Sequence, residues 1–272
     1  MEIAYSPVVA AVLFVLTTIL RLTWYGMHVQ REESEHAARR DLNPEQLRRE
    51  WQFRQDSRLL VGSANLFNAA AWLLFAIPIM QMAWVLSRRG KRKVTLHCTI
   101  VFFALAGIIT EVISRLLVFG RSSSATWISS SFNMGVWLPD GISNEPDDMG
   151  WKALEISFTV FHGLLSFIDS FEWFCLFIIL VCTAYSVVTM QDRVFNIWWA
   201  RFGLLVAVLS IFDLAAGIVL FTDNHKFIRA AIGISAVNMI FFLPAWLIML
   251  AIQLPKALPN YDPGLDFELT QA

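Results

Sequence analysis

The sequence predicts an all-α integral membrane protein: a bundle of six transmembrane helices with a charged helical hairpin between spans one and two. Three observations carry this. Of 272 residues, 57% are hydrophobic and 16% charged, where a soluble domain would carry about 45–50% apolar and about 25% charged residues. Six runs are long enough to cross about 30 Å of hydrocarbon at 1.5 Å per residue. The 22 Phe and 11 Trp suit a chain whose rings collect at membrane interfaces.

The first run, 5–27, lies in "MEIAYSPVVAAVLFVLTTILRLTWYG", which has no basic n-region, so it reads as a retained span. Residues 28–58 hold seven arginines against seven acids. Glu35→Arg39 and Glu50→Arg54 are i,i+4 pairs, and Asn43-Pro44-Glu45-Gln46 is a helix start with Asn as N-cap and Pro in the first turn. Two charged helices are expected here, either a solvated hairpin or a docking surface for a protein partner.

Spans two and three, 59–87 and 94–119, are joined by the basic loop "RRGKRK" at 88–93. That loop, unbalanced by acids, places itself and both termini in the cytosol. The seven arginines of 28–58 pull the other way, and nothing in the sequence selects a particular membrane. The segment 120–151 is rich in Ser and Gly and ends acidic, so it reads as a connector; its Trp127, Phe132 and Trp137 are suited to an interfacial lid.

The fourth run, 152–190, is too long for one crossing, so its first third should project or lie on the surface, with Gly163 a candidate bend. Splitting it would give a seventh span, but "SFIDSFEW" offers no Gly or Pro turn. Spans five and six are 196–221 and 227–254. The tail 255–272, with three prolines and three acids counting from Pro255, reads as flexible. Trp24, Trp84, Trp151 and the Trp198–Trp199 pair fall near span ends, where an aromatic belt belongs.

Cys98, Cys175 and Cys182 lie in hydrophobic runs and serve as small apolar fillers rather than a disulfide framework. A net charge of −1 and the lack of a basic recognition motif argue against nucleic acid as a partner. No nucleophile motif or metalloprotease HExxH is present, so an enzyme is the less favoured reading. No cofactor is expected, because His97 and His162 fall in opposite halves of the bilayer and cannot share a haem.

Polar residues inside the spans share one depth. They are Thr17 and Arg21 in span one, Asn65 and Asn68 in span two, and Glu111, Ser114 and Arg115 in span three. Span four adds His162, Ser166 and Asp169 on one face, span five Ser210 and Asp213, and span six Ser235 and Asn238. Counted from the side where odd spans end and even spans begin, they lie about 6 to 17 Å deep, with Glu111 and Asp213 each about 12 Å down. Glu172 is turned about 80° from the His162 face and marks the layer's margin.

Hydrocarbon cannot solvate such groups, so they should face one another or a watery cavity. The expectation is a polar pocket built from Arg21, Asn65, Asn68, Glu111, Arg115, His162, Ser166, Asp169, Asp213 and Asn238. Gly107, Gly217, Ala231 and Ser235 would let helices close around it, while Pro78 and Pro244 are kink or hinge positions in the opposite half. Arg21 and Arg115 face four acids, Glu111, Asp169, Glu172 and Asp213, so either some are protonated or the layer attracts a cation. Two function classes follow: a transporter or channel linked to a proton or small cation, or a scaffold or receptor whose intramembrane charges hold helices together. Spans three and five, "IITEVISRLLVF" and "LSIFDLAAGIVLF", each carry an acid followed by an apolar run ending in Phe; the likeness is short, but suits a repeat.

Overall fold

The computed structural model describes residues 4–34, 56–89, 94–131, 148–190, 194–219 and 225–258, with side chains for 4–27, 56–57, 59–88, 94–118, 160, 164, 168, 170–190, 194–215 and 230–258. Its helices are α1 (Tyr5–Ser34), α2 (Arg58–Arg89), α3 (Val94–Ser131), α4 (Asp148–Thr189), α5 (Ile197–Val219), α6 (His225–Val237) and α7 (Leu243–Ala257); a π-helical turn, Asn238–Phe242, joins the last two into one rod. Among the described residues six stretches are long and apolar enough to cross a membrane: Tyr5–Met27, Leu59–Arg88, Val94–Val118, Ser170–Thr189, Ile197–Ala215 and Ala230–Ala257. The chain is a multi-pass integral membrane protein of all-α architecture.

Several helices outrun the bilayer. Helix α4 has 42 residues, about 63 Å at 1.5 Å per residue, and passes Gly163 without a break, so run four is one span with a long extension. Helix α3 continues to Ser131 through the Ser-rich stretch expected to be a connector. No proline interrupts it there, and serine is only mildly unfavourable in a helix. Helix α1 likewise runs on into the charged segment as far as Ser34. The expected helix start at 43–46, the basic loop residues 90–93, the connector residues 132–147 and the tail beyond 258 lie outside the described residues, while the connector's last residues, 148–151, open α4.

The spans close a ring in chain order. Helix α1 packs on α2, α2 on α3, α3 on α4, α4 on α5, α5 on α6 and α7, and α7 returns to α1. Small buried residues line the contacts, among them Ala10, Ala71, Ala104, Ala184, Ala207 and Ala251, and let backbones approach where lipid offers no hydrophobic drive. At Gly107 an added Cβ would stand 3.0 Å from the Cβ of Cys175, so that cysteine fills a close α3–α4 crossing. The ring's centre is aromatic: Trp72 of α2 meets Phe14 of α1 edge-on at 5.6 Å and Trp173 of α4 at 6.4 Å. Outward-facing Leu66, Phe102, Leu116 and Phe241 are 63–68% exposed, as lipid-facing side chains should be.

Prolines decide two local details. Pro255 has no N–H to give the carbonyl of Ala251, and the backbone N–H of Ala4 donates to that carbonyl instead at 3.0 Å, tying the start of α1 to α7. Pro244 likewise cannot donate to Ile240. The turn before it opens, with the N–H of Leu243 reaching back five residues to the carbonyl of Asn238.

The tryptophan pair divides. Trp198 is 67% exposed with the Arg201 guanidinium 4.9 Å from its ring centre, whereas Trp199 is fully buried. Neighbours on a helix point about 100° apart, so both cannot join a belt. Trp199 stacks on Trp246 at 4.9 Å and donates its Nε1–H to the Trp246 carbonyl at 3.1 Å. Trp84, 42% exposed beneath Arg88 at 4.4 Å, marks the same end of the bundle as Trp198. Trp24 donates to the Ser57 hydroxyl at 3.0 Å, clasping α1 to α2 at the opposite end.

Candidate functional site

Isolated hydroxyls in these helices mostly turn back on their own backbone. Thr18 donates to the Phe14 carbonyl at 2.8 Å, Thr110 to Ala106 at 2.6 Å and Ser210 to Val206 at 2.9 Å. The buried carboxylates and amides among the described residues instead gather in two places, one on helices α1 to α4 and one on α5 and the α6–α7 rod.

Glu111 of α3 is the centre of the first, with no exposed surface. Arg115, one turn on, grips it with two prongs, Nε to Oε1 at 2.5 Å and Nη2 to Oε2 at 3.0 Å, the fork geometry that makes such pairs strong. Asn68 of α2 donates to the same Oε1, and Arg115 Nη1 donates to Asn65 Oδ1 at 3.3 Å. The i,i+3 spacing of the two asparagines puts both on the face of α2 that meets α3. Glu172 of α4 reaches Glu111 by a hydrogen bond, and the charge of Arg21 on α1 acts on it as well. Two guanidiniums thus stand with two carboxyls, and the hydrogen bond between those carboxyls needs a proton on one of them.

Asp213 of α5 is the centre of the second and is 4% exposed. The Asn238 amide nitrogen stands 3.4 Å from Asp213 Oδ2 and 3.5 Å from Ser210 Oγ, and the Ser235 hydroxyl hydrogen-bonds to the carboxyl. Asp213 Oδ1 and Asn238 Oδ1 have no hydrogen-bond partner among the described residues, and no Lys or Arg there pairs with this acid. Asn238 opens the π-helical turn, so Pro244, six residues on, shapes the backbone that presents it.

Of the ten pocket residues expected from the sequence, Asn65, Asn68, Glu111 and Arg115 meet in one cluster with Arg21 nearby, and Asp213 and Asn238 meet in the other. His162, Ser166 and Asp169 are carried by α4, but their side chains lie outside the described residues. Glu172, set at the margin by its helix face, belongs to the first cluster; a helical wheel does not say which neighbouring helix stands opposite. Ser210 and Ser235, at the expected depth, complete the second. Among the described residues no three His, Cys, Asp or Glu side chains gather as a metal-binding set. No protein-family profile matches the chain, and no curated protein or solved structure shows significant similarity to it.

Proposed function

We propose that this multi-pass membrane protein moves a proton or small cation, alone or coupled to another solute, and that Asp213 carries the exchangeable charge. One observation supports the reading above others: Asp213 is buried in a membrane span with hydrogen-bond donors around it but no cationic partner among the described residues. An acid at such depth is costly to place, and one kept for cohesion would be matched as Glu111 is. The adjoining π-helical turn, a feature frequent at functional sites, gives the rod a local irregularity at Asn238.

Ion flux into proteoliposomes tests this. Wild type under a proton or alkali-cation gradient should show flux above empty vesicles, and Asp213→Asn should abolish it while remaining monodisperse and reconstituting equally. Equal flux in both, or none in wild type under any such gradient, overturns the proposal. The matched Glu111–Arg115 pair favours a second reading, a scaffold or receptor whose 28–58 segment docks a protein partner. It predicts no flux and loss of the partner when that segment's arginines are neutralised.

A further inference from the structure

The second cluster is more specific than a buried acid. We infer that Asp213, Asn238, Ser210 and Ser235 form a sodium site; this rests on the transport reading and names its ion. All four side chains carry oxygen, the donor atom that hard cations take, and two of those oxygens, Asp213 Oδ1 and Asn238 Oδ1, are buried without a hydrogen-bond partner among the described residues. The Asn238 amide nitrogen makes only long contacts, 3.4 Å to Asp213 Oδ2 and 3.5 Å to Ser210 Oγ. Carboxamide oxygen and nitrogen exchange places by a half-turn of the amide. With the amide turned, Asn238 presents that same oxygen about 3.4 Å from a carboxylate oxygen and about 3.5 Å from a hydroxyl.

Those separations choose an ion size. Oxygens about 2.4 Å from an ion, the reach seen around Ca²⁺, stand about 3.4 Å apart along an octahedral edge. Sodium has nearly the radius of Ca²⁺. Mg²⁺, held at about 2.0–2.1 Å, would draw its oxygens to about 2.9 Å, and potassium needs wider spacing. Charge then separates sodium from Ca²⁺. The site has one carboxylate, which balances a monovalent ion and leaves a divalent one half-neutralised in a low-dielectric span. Sites selective for Ca²⁺ draw on several carboxylates or carbonyls. The ligands come from two helices, Ser210 and Asp213 one turn apart on α5 and Ser235 and Asn238 one turn apart across the α6 end, so binding would tie α5 to the rod.

The experiment is a thermal melt of the purified full-length chain in detergent at fixed pH, with sodium replacing choline at constant ionic strength, because a ligand of the native state raises the melting point with its concentration. The inference expects a saturable rise with sodium and little or none with potassium or magnesium. Asp213→Asn should remove the shift while melting normally in choline. Ser210→Ala and Ser235→Ala, which remove one neutral ligand each, should raise the half-saturating sodium concentration about tenfold, the effect of losing one good polar contact. No sodium-specific shift in wild type, or a shift that survives Asp213→Asn, overturns the sodium site. If sodium fails but proteoliposome flux of protons still needs Asp213, only this inference falls; if that flux is absent too, the transport reading falls with it.

Discussion

Glu111 and Asp213 occupy comparable places, in spans that run the same way across the membrane and beside the same apolar pattern ending in Phe. Their company differs. Glu111 is forked by Arg115, capped by Asn68, approached by Glu172 and within the field of Arg21. Asp213 has one amide, one hydroxyl and an oxygen with no hydrogen-bond partner among the described residues. In a bilayer, where polar groups must find partners within the protein, the first arrangement sets a guanidinium against its carboxylate, although Asn68 Oδ1 there also has no hydrogen-bond partner among the described residues, whereas the second has no Lys or Arg beside its carboxyl among the described residues. Four helices contribute to the closed cluster and two to the open one, so the same residue type fastens one arc of the ring and leaves the other adjustable.

The largest effect should come from unfastening the closed arc. Arg115→Met leaves Glu111 buried with Asn68, Glu172 and the charge of Arg21 but without its forked partner, and breaking a buried pair by removing one partner costs about 3–5 kcal/mol. Unfolding in mixed micelles should show it. Glu111→Gln added to Arg115→Met should recover much of the loss, because the orphaned charge is gone. If the single variant costs no more than the double, Glu111 is not held by Arg115 and the contrast between the two acids dissolves.

A smaller effect tests whether the open arc owes its looseness to poor packing rather than to unmatched charge. Gly203 of α5 lies under Trp246 of α7, and an added Cβ would come within 2.8 Å of the Trp246 Nε1. Trp246 cannot swing away freely, because it is stacked on Trp199. Gly203→Ala should therefore cost about 1–3 kcal/mol, the range for overpacking a well-filled core. Gly107→Ala, where the added carbon meets Cys175 at 3.0 Å, should cost less, since α3 and α4 need shift only by a few tenths of an ångström. A neutral Gly203→Ala would mean that α5 and α7 pack loosely.

Much of this was legible in the residues. The span ends follow from where apolar runs stop, and Glu111 with Arg115 follows from i,i+4 spacing alone. What periodicity does not carry is which faces meet. Glu172 points away from the His162 face, yet that direction leads to Glu111 on the neighbouring helix. Trp199 looked like half of an interfacial pair, yet helix geometry sends it into the core. The π-helical turn had a signal, Pro244 six residues after Asn238, but a proline announces an irregularity without saying whether the backbone kinks or widens. The end of α3 is hidden for a compositional reason: a run of serines resembles a connector, although nothing in it breaks a helix once one has started.

The smallest expected change in stability separates the acids most sharply. Asp213→Asn keeps the shape of the side chain and an oxygen that can accept from Ser235, and it removes a charge that no Lys or Arg among the described residues balances. Glu111→Gln also keeps shape, but strips Arg115 of the counter-charge at 2.5 Å and leaves a guanidinium buried. Near-isosteric replacement is thus expected to shift stability by under about 1 kcal/mol at Asp213, within the range of a single hydrogen bond, and by about 3–5 kcal/mol at Glu111. Thermal melts in choline, without sodium, give the comparison free of any ligand contribution. Repeating them across pH adds an independent axis, because asparagine does not titrate: whatever part of the pH dependence belongs to residue 213 disappears in the variant, while the part set by the other acids stays. Equal losses at the two positions would mean that Asp213 is as firmly fastened as Glu111, and that the open arc is structural too.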